Sequence, residues 1–286
     1  MGILKKFLNF ILVELLFLTI VYSDVMNDLS YTYPHNLNSK YALFKDQESI
    51  LSLFEKERLK QPEKVDEFLR AFNSCFFTED IPVPLGVRRP FIVIEGNNRQ
   101  NRETVAKMLA DTIGAKYLHV PPKCLVHLTT TFDKGSLIRN AFFALSLYAS
   151  AFNVRQLLGI GTPVVMNGYW TEQASFVIGK IYKRPGDLPP PGSEIYDQPK
   201  DLMMPDMLVF LNYPYTQHSF IFTTRSPGFM PKTNQIYKRF YYPPVTIIDS
   251  SRGIDTTVSQ IYREMRGLLG DSFDFSPAIP YTLGDI

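Results

Sequence analysis

Four apolar residues in a row, Phe91-Ile92-Val93-Ile94, run straight into Glu95-Gly96 and then into apolar residues at helical spacing, Val105, Met108, Leu109 and Ile113. A strand with one wet face alternates apolar and polar residues, so a continuous run marks a strand covered on both faces. The stretch reads as strand, tight turn, helix. The unit then recurs with variations: a short strand at Tyr117-Leu118-His119-Val120, a long helix from about Leu137 to Leu158, and a strand at Pro163-Val164-Val165-Met166. A helix from about Thr171 to Tyr182, strands at Met207–Leu211 and Val245–Ile248, and a closing helix from Thr256 to Leu269 complete the series. Five apolar strands separated by helices predict a three-layer α/β domain built on a parallel sheet.

Composition fits that reading and removes others. In 286 residues, 30 Lys+Arg against 28 Asp+Glu leave a net charge of +2, and 45% of the residues are hydrophobic. This excludes a chain that is mainly disordered and one that crosses the membrane many times. No broad basic excess exists to neutralise phosphates, so nucleic acid is not an expected partner. The two cysteines, Cys75 and Cys124, cannot make a disulfide framework, and no Cys/His cluster offers metal ligands at a workable spacing. The four histidines, His35, His119, His127 and His218, are scattered, and no metal site is expected.

The start is the other anomaly. Lys5 and Lys6 precede an apolar run from Phe7 to Tyr22, closed by Val21-Tyr22-Ser23, which is the order of a secretory signal peptide. At about 16 residues the run is short for a membrane span, and Glu14 inside it would be costly in hydrocarbon. Residues 1–23 are read first as a signal peptide, second as an uncleaved anchor through residues 7–22, and third as an apolar helix docking on the domain. No N-x-[ST] sequon accompanies them, and two cysteines give oxidation little to act on. Residues 24–80 read as a helical arm, with Ile50, Leu51, Leu53 and Phe54 on one short helix and Val65, Phe68, Leu69 and Phe72 on another, divided by Pro62. The α/β domain spans 81–272, and 273–286 form a tail. Two irregular stretches lie inside it. Arg184–Asp206 is proline-rich and too long for a simple connector, hence a functional flap or an ordered surface crossing. Thr216–Tyr242 mixes aromatics with Arg225, Lys232, Lys238 and Arg239.

Open α/β sheets bind ligands at the carboxyl ends of their strands, so the turn after the first strand is the place to look. A phosphate-binding loop there reads G-x-x-x-x-G-K-[ST], with backbone N–H groups around the phosphates, a Lys on their outer oxygens and a hydroxyl on Mg²⁺. The frame fits with Gly96 first, but Asn101 stands for the second Gly, Arg102 for Lys and Glu103 for Ser/Thr.

Beyond that motif, several stretches in order carry a family likeness: PVPLGVRRPFIVIEG from Val83's neighbourhood to Gly96, PPKC from Pro121 to Cys124, and IRNAFFALSLY from Ile138 to Tyr148. PVVMNGYW from Pro163 to Trp170 and IYDQPKDLMMPDMLVFLN from Ile195 to Asn212 continue it. Val83 to about Leu269, roughly two thirds of the chain, thus resembles the thymidylate kinase family and within it the mitochondrial UMP/CMP kinase branch. The resemblance implies a P-loop kinase fold with a five-stranded parallel sheet, a phosphate loop and a lid over ATP, preceded here by the helical arm. It also implies mitochondria as the alternative location, and a homodimer or other protein partner through helices flanking the sheet.

The departures from that family touch its charged parts. Where the family writes roughly EGLDATGKTT, this chain writes Glu95-Gly96-Asn97-Asn98-Arg99-Gln100-Asn101-Arg102-Glu103-Thr104. Asp-Arg-Tyr after the third strand becomes Asn167-Gly168-Tyr169, basic positions near Thr129 and Thr130 become hydroxyls, and the lid's Arg-rich start becomes Gln217-His218-Ser219-Phe220. Phosphoryl transfer depends on positioning and on cations around the moving group, and each lost electrostatic donor typically costs about 10²–10³ in rate. Glu103 would set a carboxylate against the β-phosphate and metal. Thr104 is no easy replacement, since one residue turns a helix by about 100°. The implied protein is a pseudokinase that binds a nucleotide or a partner; the alternative is a divergent kinase acting on dTMP, UMP or CMP through Arg102 and Arg225. ATP and Mg²⁺ are expected only in the second case. A bound nucleotide would meet Gly96, Asn97, Asn98, Arg99, Asn101, Arg102 and Thr104 at its phosphates. On the monophosphate side the resemblance implies Arg139, Phe143 and Tyr169.

Overall fold

The computed structural model describes residues 32–33, 42–213 and 232–276. The apolar segment 1–23, the lid positions Gln217 to Phe220, Arg225 and residues 277–286 lie outside the described residues. The arm opens with two short antiparallel strands, β1 (Thr32–Tyr33) and β2 (Leu43–Phe44), so it is not purely helical. Two helices follow, α1 (Gln47–Arg58) and α2 (Pro62–Ser74). Asp46 starts α1 by accepting a hydrogen bond from the Ser49 N–H at 2.7 Å. Pro62 begins α2 as its first residue, where a missing N–H costs nothing.

The domain proper alternates strand and helix. Its elements are β3 (Phe91–Gly96), α3 (Arg99–Ile113), β4 (Lys116–His119), the single turn α4 (Lys123–Val126) and the long α5 (Leu137–Gly159). Then come β5 (Val164–Asn167), α6 (Trp170–Ile181), β6 (Met207–Asn212), α7 (Lys232–Tyr237), β7 (Val245–Asp249) and α8 (Ile254–Leu269). The five strands β3 to β7 form one parallel sheet in the order β4-β5-β3-β6-β7. This is the sheet the sequence predicts, flanked by helices and consistent with a P-loop kinase fold. The single turn α4, and α7 inside the stretch read as irregular, were not expected.

The pleat explains why β3 needs no polar face. Phe91 and Val93 point into one core with α5, α6 and the arm, while Ile92 and Ile94 point into a second with α3 and α8. The arm is part of the first core. Phe54 and Phe68 lie with ring centroids 4.7 Å apart, and Phe68 reaches Phe142 of α5 at 5.0 Å. The arm is also held covalently: Cys75, at the end of α2, is bonded to Cys124 of α4, their Cα atoms 5.7 Å apart. This corrects the expectation that oxidation has little to act on. The pairing depends on α2 folding back onto α4, across a sequence separation of 49, and no local pattern announces it.

The proline-rich stretch is an ordered crossing. Ile195, Tyr196 and Leu202 are buried, and Asp206 at its end binds Arg88 at 2.5 Å and the Phe91 N–H at 2.7 Å. The carboxyl ends of β4 and β5 face a cleft.

Candidate functional site

The turn between β3 and α3 is two residues long. Asn97 and Asn98 separate Gly96 from a helix that already begins at Arg99, so half of the stretch that would wrap phosphates in the G-x-x-x-x-G-K pattern is helical here. Each residue has an internal task. A Cβ on Gly96 would stand 2.8 Å from the Leu211 carbonyl oxygen, so glycine lets β3 lie against β6. Asn97 clasps the end of β6: its amide donates to the Tyr213 carbonyl at 2.9 Å, and its Oδ1 accepts from the Tyr213 N–H at 2.8 Å. Asn98 caps α3, its Oδ1 accepting from the Asn101 N–H at 3.1 Å. That cap fills one of the helix-start donors that an anion would otherwise take. Thr104 turns its hydroxyl back to the Gln100 carbonyl at 3.1 Å, on the exposed side of the helix.

Arg102 points inward. It is 7% exposed and its Nη1 donates to Oε1 of Glu172, on the first turn of α6. Burial works against its charge, but Glu172 and then Glu95 outweigh it and raise its pKa. Glu95, the last side chain of an otherwise apolar strand, is fully buried at the start of α6. Its Oε1 accepts from the Tyr169 and Glu172 N–H groups at 2.9 and 3.0 Å. Its Oε2 accepts from Thr171 Oγ1 at 2.7 Å and from the Tyr237 hydroxyl at 2.6 Å. Burial first, and Glu172 second, push its carboxyl up to about 7 against the opposing hydrogen bonds.

Glu103 is partly exposed on the cleft side of α3, paired with Lys107 one turn on at 2.7 Å. That partner lowers its pKa. The carboxylate expected to oppose a β-phosphate is thus balanced by its own helix.

Arg102, Glu103 and Glu172 border a cleft of about 1210 Å³ over the ends of β4 and β5. Arg99, Arg102, Glu103, Arg139, Phe143 and Tyr169, among the sequence-predicted residues, line it; Gly96, Asn97, Asn98, Asn101 and Thr104 do not. Lys107, Lys116 and Lys123 add positive charge to its walls, and Tyr117, His119 and Phe176 add rings. Arg139 is held in place: its Nη1 donates to the Phe132 carbonyl at 2.9 Å and its guanidinium lies 5.4 Å from the Phe143 ring centroid. Tyr169 is 2% exposed, with its hydroxyl donating to the Met203 carbonyl at 2.9 Å and its ring edge-on to Phe91, so most of it is core. Among the described residues no group of three or more His, Cys, Asp and Glu could hold a metal ion.

Sequence reasoning missed Glu95, Glu172, Lys116 and Lys123. Glu95 had a signal, since a charge that ends a doubly covered strand must find buried partners. The others depend on which elements the sheet order brings together.

No protein-family model matches the chain. Among curated proteins, 121 residues are 30% identical to human UMP-CMP kinase 2, mitochondrial, a match over 42% of this chain. The chain spans 27% of that relative's length. Among solved structures, the thymidylate kinase of Candida albicans matches with a TM-score of 0.47 and 16% identity, over 63% of this chain and 92% of that one.

Proposed function

We propose that this thymidylate-kinase-like chain binds a nucleotide, or a partner offering similar anionic and aromatic groups, in the cleft bordered by α3, β4 and α5, and transfers no phosphoryl group. The observation that carries the reading is the turn from Gly96 to Arg102. A phosphate loop works by presenting backbone donors and a cation to the phosphates. Here Asn98 fills a donor at the helix start and Arg102 is engaged by Glu172. Elsewhere the cleft is lined by Arg139, braced against Phe143, and by Lys116 and Lys123. A ligand with one anion and one planar ring suits such a lining.

Calorimetric titration with UMP, CMP and dTMP, with and without Mg²⁺, tests the reading. Binding that does not depend on the metal is expected. Absence of binding by all three at millimolar concentration refutes the nucleotide and leaves the protein partner, which a folded chain unable to capture any partner would refute in turn.

We further propose an oxidising compartment for the mature protein, the secretory route being favoured over mitochondria. Support comes from the order Lys5-Lys6, Phe7–Tyr22, Ser23 and from the Cys75–Cys124 bond, since such bonds persist outside reducing compartments. Sequencing the mature N-terminus in cells decides it: a cut near Ser23 or a retained anchor agrees, and a matrix-type cut does not.

A further inference from the structure

We infer that Glu172 decides which charge the loop end of the cleft accepts: its carboxylate is a built-in anion on Arg102 that keeps polyphosphate out. This deepens the reading above and rests on it for the position of the cleft. Three observations converge on Glu172. Its backbone is fixed, because its N–H donates to the buried Glu95 at 3.0 Å, so the first turn of α6 holds the side chain beside Arg102. Its carboxylate lies over Gly168, which has a φ of +79° and, having no Cβ, leaves the room; a Cβ there would run into Glu172 Oε2. The third is Arg102 itself. Its Nη1 is on Glu172, while its Nε is buried and has no hydrogen-bond partner, so a guanidinium more than nine-tenths buried at the edge of the cleft is engaged on one side only.

Arg102 lines the cleft, and with Glu172 on only one of its nitrogens the guanidinium keeps donor capacity for an acceptor that displaces or joins that carboxylate. An incoming polyphosphate, however, meets the Glu172 carboxylate first, and Glu95 lies behind it. Like charges at close range in a partly buried site repel strongly. An anion held by Arg139 instead meets a guanidinium engaged by the Phe132 carbonyl and the Phe143 ring. The selection is therefore for a short anionic group and against a phosphate chain long enough to reach α6.

Inorganic pyrophosphate is the probe, titrated in magnesium-free buffer into the full-length chain and followed by calorimetry and by thermal shift. The wild-type chain is expected to bind weakly. Glu172→Gln keeps the size of the side chain, removes its charge, and is expected to bind pyrophosphate about tenfold more tightly or better, the gain of one charge-assisted contact. Combining it with Arg102→Gln should abolish the gain. Should Glu172→Gln fail to fold, as judged by near-ultraviolet circular dichroism, Glu172→Ala carries the same expectation. Equal affinities for variant and wild type, or tight wild-type binding lost with Arg102→Gln, would overturn the assignment of Glu172. Neither result bears on whether UMP, CMP or dTMP binds the wild-type chain, so the failure of one idea is distinguishable from the failure of the other.

Discussion

Breaking the Cys75–Cys124 bond should lower the stability of the chain by about 4 kcal/mol, because the bond closes a loop of sequence separation 49 and a cross-link of that span removes this much free energy from the unfolded ensemble. The folded state loses little in comparison. The arm keeps its aromatic packing, Phe54 on Phe68 and Phe68 on Phe142, with Val65 and Phe72 buried beside them. For a domain of this size one kilocalorie corresponds to roughly 2–4 °C in Tm, so the reduced protein should melt roughly 8–16 °C lower. The assay is thermal and urea unfolding of the full chain at fixed pH, with and without a phosphine reductant, alongside a Cys75→Ser/Cys124→Ser variant and a thiol count. The unfolded chain, freed of its loop, should also expose more surface and steepen the urea dependence. A thiol count of two with an unmoved melting temperature would refute the reasoning. It would mean that the arm does not unfold with the domain, or that the bond does not form.

Other consequences are open to the same methods. Glu95 is held near 7 in the folded chain against 4.5 when unfolded, so the folded state binds more protons between those pH values. The stability this proton confers is full below pH 4.5 and is lost as pH rises through 7, about 3 kcal/mol in all. The stability difference between wild type and Glu95→Gln should change by about that amount between pH 4 and pH 8, and a flat difference would contradict it. Asn98→Ala should cost about 1 kcal/mol in urea unfolding as α3 loses its cap. Phe68→Ala, at the centre of the contact between arm and α5, should cost about 3–5 kcal/mol, whereas a value under 1 would show that the arm is not core.

The strands were legible because burial on both faces writes itself into the sequence as unbroken apolar runs, and Phe91–Ile94 and Met207–Leu211 are found where those runs stand. The amphipathic helices of the arm, and Pro62 between them, were legible for the same reason of period. Sheet order was not, since nothing in β5 says that it inserts between β3 and β4. The electrostatics of the site were only half legible. The departures from the family's loop at Asn101, Arg102 and Glu103 are plain in the sequence, but the contacts these side chains make in the fold are not. The partners of Glu95 come from Tyr169, Thr171 and Tyr237, and the last is 142 residues away. Gly168 reads in the sequence as a lost arginine; in the fold it is also the space that admits Glu172. Glu103, which alone suggested repulsion at the phosphates, is answered by Lys107 one turn later, a pairing that the spacing of four already allowed.

The central claim is that the kinase-like frame carries no phosphoryl transfer. It is tested most directly by incubating the purified full chain at micromolar concentration with Mg·ATP and each of UMP, CMP and dTMP, and measuring ADP and the nucleoside diphosphate by chromatography. No product above the ATP background is expected with any of the three. Diphosphate formed at a steady rate, and lost in Arg102→Ala, would contradict the claim.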